Sequence, residues 1–336
     1  MARKPTLTQV ARTAGVSIAT VDRVVNNRGG VDAGKEQAVL RAARDLGLDR
    51  RLDFSHRQIK RIILMVQPPH NPFHAELQNG AHAVRKIMSA LNVHVSVVHI
   101  TVQRPDETVR KIMAMPGKAD GLIISSQQTP DIAAALHAIR PHVPVITLAT
   151  DIEGSGRLAF VGPNDERSGR IAADLMGRFM GADGGDILLI AGRLDNAGHL
   201  HRVRGFESLL ASRHPHCRVS SIIQTQERLD ATLDYVFTSL SNNTAIRGIY
   251  HLSVGTVGII DAIDRLGRHD VSVISHEMTP NRRRLLRQRR LQAVLDQDPH
   301  LEVRLAIENL ARQFGRLDGL VTSVETSVQI YMPESI

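Results

Sequence analysis

The sequence has few of the features that mark secreted, membrane-spanning or disulfide-linked proteins. It contains a single cysteine, Cys217, so an internal disulfide is excluded and a reducing compartment is favoured. No apolar run approaches the roughly 18–20 residues of a membrane span, and the longest, such as "VPVITLA" at 143–149, have the length of a strand. The opening segment "MARKPTLTQV" has no apolar stretch typical of a signal peptide. We therefore expect a cytoplasmic protein with no membrane partner.

The chain also lacks the sequence patterns of common catalytic sites. It has no G-x-S-x-G elbow, no H-E-x-x-H helix and no cysteine–histidine pairing that would form a nucleophile. The glycine-rich stretch "GADGGD" at 181–186 precedes a strand, whereas a phosphate-binding loop follows one. His199 and His201 lie two residues apart and would point to different sides of a helix. We therefore predict no catalytic site, no metal site and no cofactor.

Positive charge is concentrated near the start of the chain. Residues 1–60 hold 12 Lys and Arg against 6 Asp and Glu, whereas the other 276 residues hold 30 against 28. This asymmetry fits either a polyanion partner for the first segment or an ordinary solvated basic surface. A second basic run, "NRRRLLRQRR" at 281–290, is interpreted as a solvated helix face because it lies between strands of the predicted body.

The stretch "TLTQVARTAGVSIATVDRVVNN" at 6–27 has the pattern of two short helices joined by a tight turn. Thr6 or Thr8 can cap the first helix, Gly15 allows the turn, and Ser17 can cap the second. Apolar residues at i, i+3 and i+4 spacing face inward on both helices, and a third helix over about 33–46 supports them. A helix-turn-helix of this kind presents the outer side of its second helix to the DNA major groove.

The outer side of the second helix supplies the candidate DNA contacts. Arg23 is the one side chain there that can bond guanine O6 and N7 together, and Ile18 and Ala19 offer apolar contact. Asp22 either accepts a hydrogen bond from a cytosine amine or orients Arg23. Short polar side chains that suit phosphate contacts complete the predicted surface: Thr6, Ser17, Thr20 and Asn26.

From residue 61 onward, apolar runs alternate with helical stretches. Apolar runs without polar alternation are typical of parallel strands that are buried on both faces of a sheet. The predicted strands form two series, 61–66, 93–100, 120–126 and 143–149, then 186–191, 218–224, 246–252, 271–275 and 291–297. Two successive doubly wound α/β units predict two lobes with a ligand cleft at the carboxyl ends of their strands.

The segment "LTQVARTAGVSIATVDRVVNN" resembles the DNA-binding headpiece of LacI/GalR-family transcriptional regulators. The resemblance implies a homodimer that reads a roughly palindromic operator, with Ile18, Ala19 and Arg23 at the base-reading positions. The family usually continues into a hinge helix that inserts leucines into the minor groove. Here the corresponding segment lacks the usual proline and alanine, and Leu52 is the candidate for the inserted leucine.

The rest of the chain resembles the type I periplasmic-binding-protein fold of the same family. The expected fold class is a small all-α helix-turn-helix domain followed by a two-lobed α/β body with two doubly wound parallel sheets. The resemblance implies a head and hinge over 1–60 and a ligand-binding body over 61–336. Crossings near residues 161, 290 and 320 would give about 61–160 and 291–319 to the first lobe, and about 161–290 and 320–336 to the second.

The candidate cleft residues follow from the strand ends and from the same resemblance. "NPF" at 71–73 matches the sugar-receptor pattern, in which Asn71 bonds hydroxyls and Phe73 stacks on a sugar ring. Asp151 follows the fourth strand, where a carboxylate can accept two hydroxyl donors. An arginine that many relatives use in the second lobe either is replaced by Leu200 here or has shifted by a residue. Further positions match or neighbour ligand-binding positions of relatives, and the full expected set is Asn71, Phe73, Asp151, His199, His251, Glu277 and Gln297.

We therefore expect a transcriptional regulator, most simply a repressor, controlled by a small polar ligand such as a sugar or polyol. A non-sugar metabolite in the same cleft is the main alternative, and His199 and His251 fit a structural role equally well. A sugar-binding receptor without DNA function would share the body but lack the helix-turn-helix. An α/β enzyme would need a nucleophile or a metal set at the strand ends.

Overall fold

The structure is a computed structural model of the chain, and it describes residues 5–26, 28, 30–46, 48, 58–229 and 231–336. Leu52, the expected hinge residue, lies outside these described residues. Within them, no helix is both long enough and apolar enough to cross a membrane.

The head consists of three helices, α1 (Leu7–Ala14), α2 (Ile18–Val25) and α3 (Ala33–Asp45). Thr6 caps α1 in a capping box with Gln9, and Ser17 caps α2. Between them Gly15 has a φ of 66°, a left-handed conformation that glycine adopts at little cost. Helical periodicity would also place Leu46, the last residue of the expected third helix, in the core, but its side chain is exposed. The residues that form the buried core of the head are Val10, Ala11, Val21, Val39, Ala42 and Ala43.

The first lobe is built on a six-stranded sheet in which every strand pair is parallel. In order across the sheet, the strands are β11 (Val324–Thr326), β5 (Ala159–Pro163), β4 (Val145–Leu148), β3 (Gly121–Ile124), β1 (Lys60–Val66) and β2 (Val93–His99). The helices of this lobe are α4 (Pro72–Ala83), α5 (Arg85–Ala90), α6 (Pro105–Met113), α7 (Pro130–Ile139) and α13 (Pro299–Gln313). These helices cover both faces of the sheet. A separate apolar core forms between the sheet and the helices on each side.

The second lobe repeats this plan with one antiparallel strand. In order across its sheet, the strands are β12 (Gln329–Tyr331), β10 (Ala293–Asp296), β9 (Ser272–His276), β8 (Ile246–His251), β6 (Gly185–Ala191) and β7 (Cys217–Gln224). The helices are α8 (Asp165–Met180), α9 (Ala197–Arg213), α10 (Ala231–Asn242), α11 (Thr256–Leu266) and α12 (Pro280–Arg287). The short edge strand β12 runs antiparallel to β10, which departs from the expected fully parallel sheet.

The chain crosses between the lobes three times, each time a few residues later than expected. The crossings fall at Asn164, at 297–298 and at 327–328, between elements of the two lobes. The strand β10 was expected in the first lobe, but it pairs with β9, and its Val294 is buried in the second. The segment 324–326 was expected in the second lobe, but as β11 it pairs with β5 in the first. Strand pairing and apolar burial therefore decide both boundaries.

Candidate functional site

The exposed side of α2 carries the residues predicted to contact bases. Ile18 is 50% exposed, and Ala19 and Arg23 are also exposed. Ala19 and Arg23 are four residues apart and therefore lie on the same side of the helix. The hydroxyl of Ser17 accepts a hydrogen bond from the backbone N–H of Thr20 at 3.1 Å, which fixes the start of α2. A concave surface beside this helix is lined by Ala19, Asp22, Arg23, Arg28 and Gly30.

Asp22 is engaged by neighbours other than Arg23. Its Oδ2 accepts from Arg28 Nη1 at 2.8 Å, and its Oδ1 accepts from Asn26 Nδ2 at 2.5 Å. Asp22 therefore orients Arg28 and Asn26 and not Arg23, which was one of its two expected roles. Arg28 follows the end of α2, so helical periodicity gave no signal that it would join this surface.

The cleft between the lobes contains a cavity of about 540 Å³, within the size range of small-molecule sites. It lies where the carboxyl ends of the strands of both sheets meet, as doubly wound folds bind ligands. Asn71 and Phe73 line it from the first lobe, and His199, Glu277 and Gln297 line it from the second lobe and its crossing segment. Five of the seven expected cleft residues thus share one cavity.

Asn71 and Phe73 are held by the start of α4. The Asn71 Oδ1 accepts from the backbone N–H of Phe73 at 3.1 Å, and its Nδ2 donates to Gln67 Oε1 at 3.4 Å. The Phe73 ring meets the His74 ring edge-on, with the ring centroids 5.4 Å apart. The amide of Asn71 is therefore oriented by its capping role, and the phenyl ring of Phe73 is fixed beside it.

Asp151 and His251 do not line the cavity. Asp151 forms a two-pronged ion pair with Arg157 and accepts from Thr147 Oγ1 at 2.8 Å, because the following loop brings Arg157 back onto it. His251 is fully buried, with its Nδ1 3.1 Å from Ser275 Oγ and its Nε2 3.1 Å from the carbonyl of Val254. Both side chains are therefore engaged within their own lobes and do not reach the cavity wall.

Arg202, which was not predicted from the sequence, holds two of the expected residues in place. It lies on α9, is 7% exposed and lines the cavity. Its Nε donates to Asp165 Oδ1 at 2.7 Å, its Nη2 to Gln297 Oε1 at 3.1 Å, and its Nη1 to Glu277 Oε1 at 3.4 Å. Burial alone would lower the pKa of Arg202, but the charges of Asp165 and Glu277 outweigh burial and raise it. The guanidinium of Arg202 thus links the cavity wall to Asp165, next to the first crossing, and to Gln297, in the second crossing.

Glu277 has one carboxyl oxygen without a protein partner in the described part of the chain. Its Oε2 is buried and has no hydrogen-bond partner among the described residues. Burial raises the pKa of Glu277 to about 7, against the opposing charge of Arg202. Near neutral pH this carboxyl group is therefore partly protonated and can either donate or accept a hydrogen bond.

Arg282 is a second cavity residue that was not predicted, although it belongs to the basic run at 281–290. It is 6% exposed. Its Nε donates to Thr256 Oγ1 at 2.8 Å, its Nη1 to the carbonyl of Glu277 at 3.2 Å, and its Nη2 to the carbonyl of Ser253. The exposed arginines of the same helix, which fit a solvated face, are Arg283, Arg284 and Arg287.

The histidines in and behind the cavity carry no charge near neutral pH. Burial lowers the pKa of His74 to about 3 and that of His199 to about 4. Burial also lowers the pKa values of His251 and His276 well below the ordinary histidine value. In the part of the chain that the structure describes, no group of His, Cys, Asp and Glu is arranged to hold a metal ion. The cavity therefore offers hydrogen bonds, two guanidinium groups and carboxyl groups.

Two family models match successive parts of the chain. Residues 62–316 match the periplasmic binding protein domain, and residues 6–49 match bacterial regulatory proteins of the lacI family. The chain belongs to the periplasmic binding protein domain family and carries a lacI-family DNA-binding domain at its start. These matches agree with the three-helix head and the two-lobed body, so this protein is a DNA-binding regulator controlled by a ligand.

Two relatives and one solved structure extend the comparison. The chain is 26% identical over 232 residues to the HTH-type transcriptional regulator DegA of Bacillus subtilis (strain 168), covering 68% of this chain and 67% of DegA. It is 25% identical over 287 residues to catabolite control protein A of Priestia megaterium, covering 82% of each. An ABC-transporter solute-binding protein from Burkholderia graminis C4D1M, solved with D-arabinose, has 21% identity and a TM-score of 0.75. That match covers 83% of this chain and 98% of the solved chain, and it confirms the predicted fold of the body.

Proposed function

We propose that this regulator acts in the cytoplasm as a homodimeric repressor of a roughly palindromic operator. Arg23 bonds a guanine edge, and Ile18 and Ala19 contact neighbouring bases, because all three are exposed on the capped helix α2. The exposed Arg23 on this helix is the observation that carries the proposal. The residues assigned to phosphate contacts and register are Thr6, Ser17, Thr20 and Asn26.

The effector is a sugar or polyol bound in the interlobe cavity. Asn71, Glu277 and Gln297 supply hydrogen-bonding groups for hydroxyls, and Phe73 supplies an apolar ring face. His199 is neutral and lines the same wall, so it can bond a hydroxyl without adding charge. The solved solute-binding protein with D-arabinose has the same body fold, which supports a sugar as the ligand class.

Ligand binding controls DNA binding by shifting the relative position of the lobes. A ligand that contacts Phe73 on one lobe and Glu277 on the other stabilises the closed arrangement over the open one. Closure moves the first lobes of the dimer, and with them the spacing of the two heads. Because a dimer must fit two half-sites at once, a small change in that spacing changes operator affinity.

Selection of duplexes from a random pool by the purified full chain tests the DNA part of this proposal. We expect an enriched palindrome bound by two copies of the chain, with the stoichiometry measured by analytical ultracentrifugation. Arg23→Ala should lose the preference for the enriched sequence while retaining salt-sensitive binding to any duplex. The exposed Arg41 on α3 provides the matched control, because Arg41→Ala makes the same charge change away from α2. A sequence preference that Arg23→Ala leaves unchanged contradicts the assignment.

A further inference from the structure

The two buried guanidinium groups of the cavity differ in how their charge is balanced. Arg202 contacts Asp165 at 2.7 Å, so its charge has a carboxylate partner. Arg282 bonds a hydroxyl and two carbonyl oxygens, and within the described residues no carboxylate lies within ion-pair distance of it. Burial lowers the pKa of Arg282 to about 10, so the group remains charged at neutral pH. A buried charge without a counter-charge is costly unless something else neutralises it.

The carboxyl groups on the same wall compensate Arg282 only in part. Glu227, Asp261 and Glu277 line the cavity, and among the described residues none of the three forms an ion pair with Arg282. Burial raises the pKa of both Glu227 and Glu277 above the ordinary glutamate value, for Glu277 to about 7. The nearby histidines are neutral, as described above. The carboxyl groups of Glu277, Glu227 and Asp296 act on Arg282 only from beyond ion-pair distance, so an anionic group of a ligand can become its direct counter-charge.

The start of α11 adds hydrogen-bond donors beside Arg282. Thr256, Val257 and Gly258 form the first turn of this helix and line the cavity. The helix begins after Gly255, which has a φ of 99° and gives no side-chain cap. By contrast, side chains cap the starts of the other helices that face the cleft near this point, namely Asn71 for α4, Asn196 for α9 and Thr279 for α12. An uncapped helix start attracts anions because its N–H groups and its dipole both favour negative charge.

We propose that the effector carries an anionic group, a phosphate ester or a carboxylate, that binds Arg282 and the first turn of α11. The hydroxyl-bearing part of the ligand then lies toward Phe73 on the opposite lobe. This inference rests on the proposed function, since it concerns the same cavity, and it narrows the ligand from sugars in general to anionic sugar derivatives. It also gives one arginine of the basic run at 281–290 a role that the exposed arginines of α12 do not share.

Thermal unfolding of the full chain in phosphate, acetate or chloride, at equal ionic strength, tests the proposal. We expect phosphate or acetate to raise the melting temperature of the wild type relative to chloride, and Arg282→Gln to abolish the rise. Arg287→Gln is the matched control, because Arg287 is exposed on the same helix and loses the same charge. A larger rise with phosphate indicates a phosphate ester, and a larger rise with acetate indicates a carboxylate. Equal rises in wild type and Arg282→Gln, or no rise in wild type, overturn the proposal.

A direct binding measurement covers the case in which Arg282→Gln fails to fold. Titration calorimetry with inorganic phosphate then compares the wild type with Arg282→Lys, which keeps the charge but loses the planar fork. We expect roughly tenfold weaker binding in Arg282→Lys, the loss that follows from one charge-assisted hydrogen bond. An unchanged affinity overturns the proposal. Failure of the proposed function has a different signature: the wild type then selects no operator, whereas the phosphate result does not depend on DNA.

Discussion

Replacing Arg202 with methionine should destabilise the body far more than the same substitution at Arg204. Arg202 is buried, and its donors serve Asp165, Gln297 and Glu277. Methionine occupies a similar volume but donates no hydrogen bond, so these acceptors lose their partner where water has little access. Arg204 lies two residues further along α9 and is exposed, so its substitution changes only the surface.

The expected size of the effect follows from the burial of the ion pair. The Arg202 and Asp165 side chains are only 8% and 10% exposed, so solvent screens their interaction weakly. Removing one partner of a buried ion pair typically costs about 3–5 kcal/mol. In a domain of this size each kcal/mol lowers the melting temperature by about 2–4 °C, so we expect a fall of about 6–20 °C. An exposed substitution such as Arg204→Met should change it by less than about 2 °C.

Differential scanning calorimetry of the two variants and the wild type measures this difference. Adding Asp165→Asn to Arg202→Met should recover part of the loss, because it removes the carboxylate that the first change leaves unpaired. Equal melting temperatures for Arg202→Met and Arg204→Met would refute the role assigned to Arg202. A double variant no more stable than Arg202→Met would refute the role of the unpaired carboxylate.

Three further predictions concern the cavity and the head. Burial raises the pKa of folded Glu277 from 4.5 to about 7, so its ionisation costs stability as the pH rises between these values. Glu277→Gln should therefore raise the melting temperature relative to wild type at pH 8 more than at pH 5, and a pH-independent difference would contradict this. Asp22→Ala removes a negative charge from the DNA-facing surface and releases Arg28 from its ion pair. Anisotropy titrations at low salt should therefore show tighter binding of the variant to nonspecific duplexes, and weaker or equal binding would contradict this role of Asp22. Thr6→Ala removes the capping box of α1, so it should lower the stability of the head by about 1 kcal/mol and weaken operator binding. Thr8→Ala should leave operator affinity unchanged, and equal losses of affinity in the two variants would reject the cap.

Most of the fold could be predicted because local pattern and burial agree along the chain. The apolar runs such as "RIILMV" and "DILLIA" became buried parallel strands, and the cap residues Thr6 and Ser17 begin the first two helices as expected. The lobe boundaries could not be placed from such patterns, because a strand does not reveal which sheet it joins. β10 and β11 are assigned by their pairing partners, which are distant in sequence.

The cavity was predicted less completely because the basic run at 281–290 was interpreted as a solvated face and Arg202 was not among the expected residues. Arg202 lies four residues before the buried Phe206 and four after the buried Gly198, so its spacing placed a charge on the buried side of α9. Arg282 precedes the buried Leu285 and Leu286 at i+3 and i+4 spacing, which is the same signal. Asp151 could not be assigned correctly, since its partner Arg157 reaches it through the course of a loop.

The most direct test of ligand-controlled DNA recognition is the ratio of affinities for the selected operator and for a shuffled duplex of equal length. It is measured by fluorescence anisotropy with the full chain at moderate salt. We expect a ratio of roughly 10³ or more for the wild type, and a ratio near one for Arg23→Ala. A compound that stabilises the body through the cavity should change the wild-type ratio. A wild-type protein that binds both duplexes equally, with or without such a compound, would contradict the regulator mechanism.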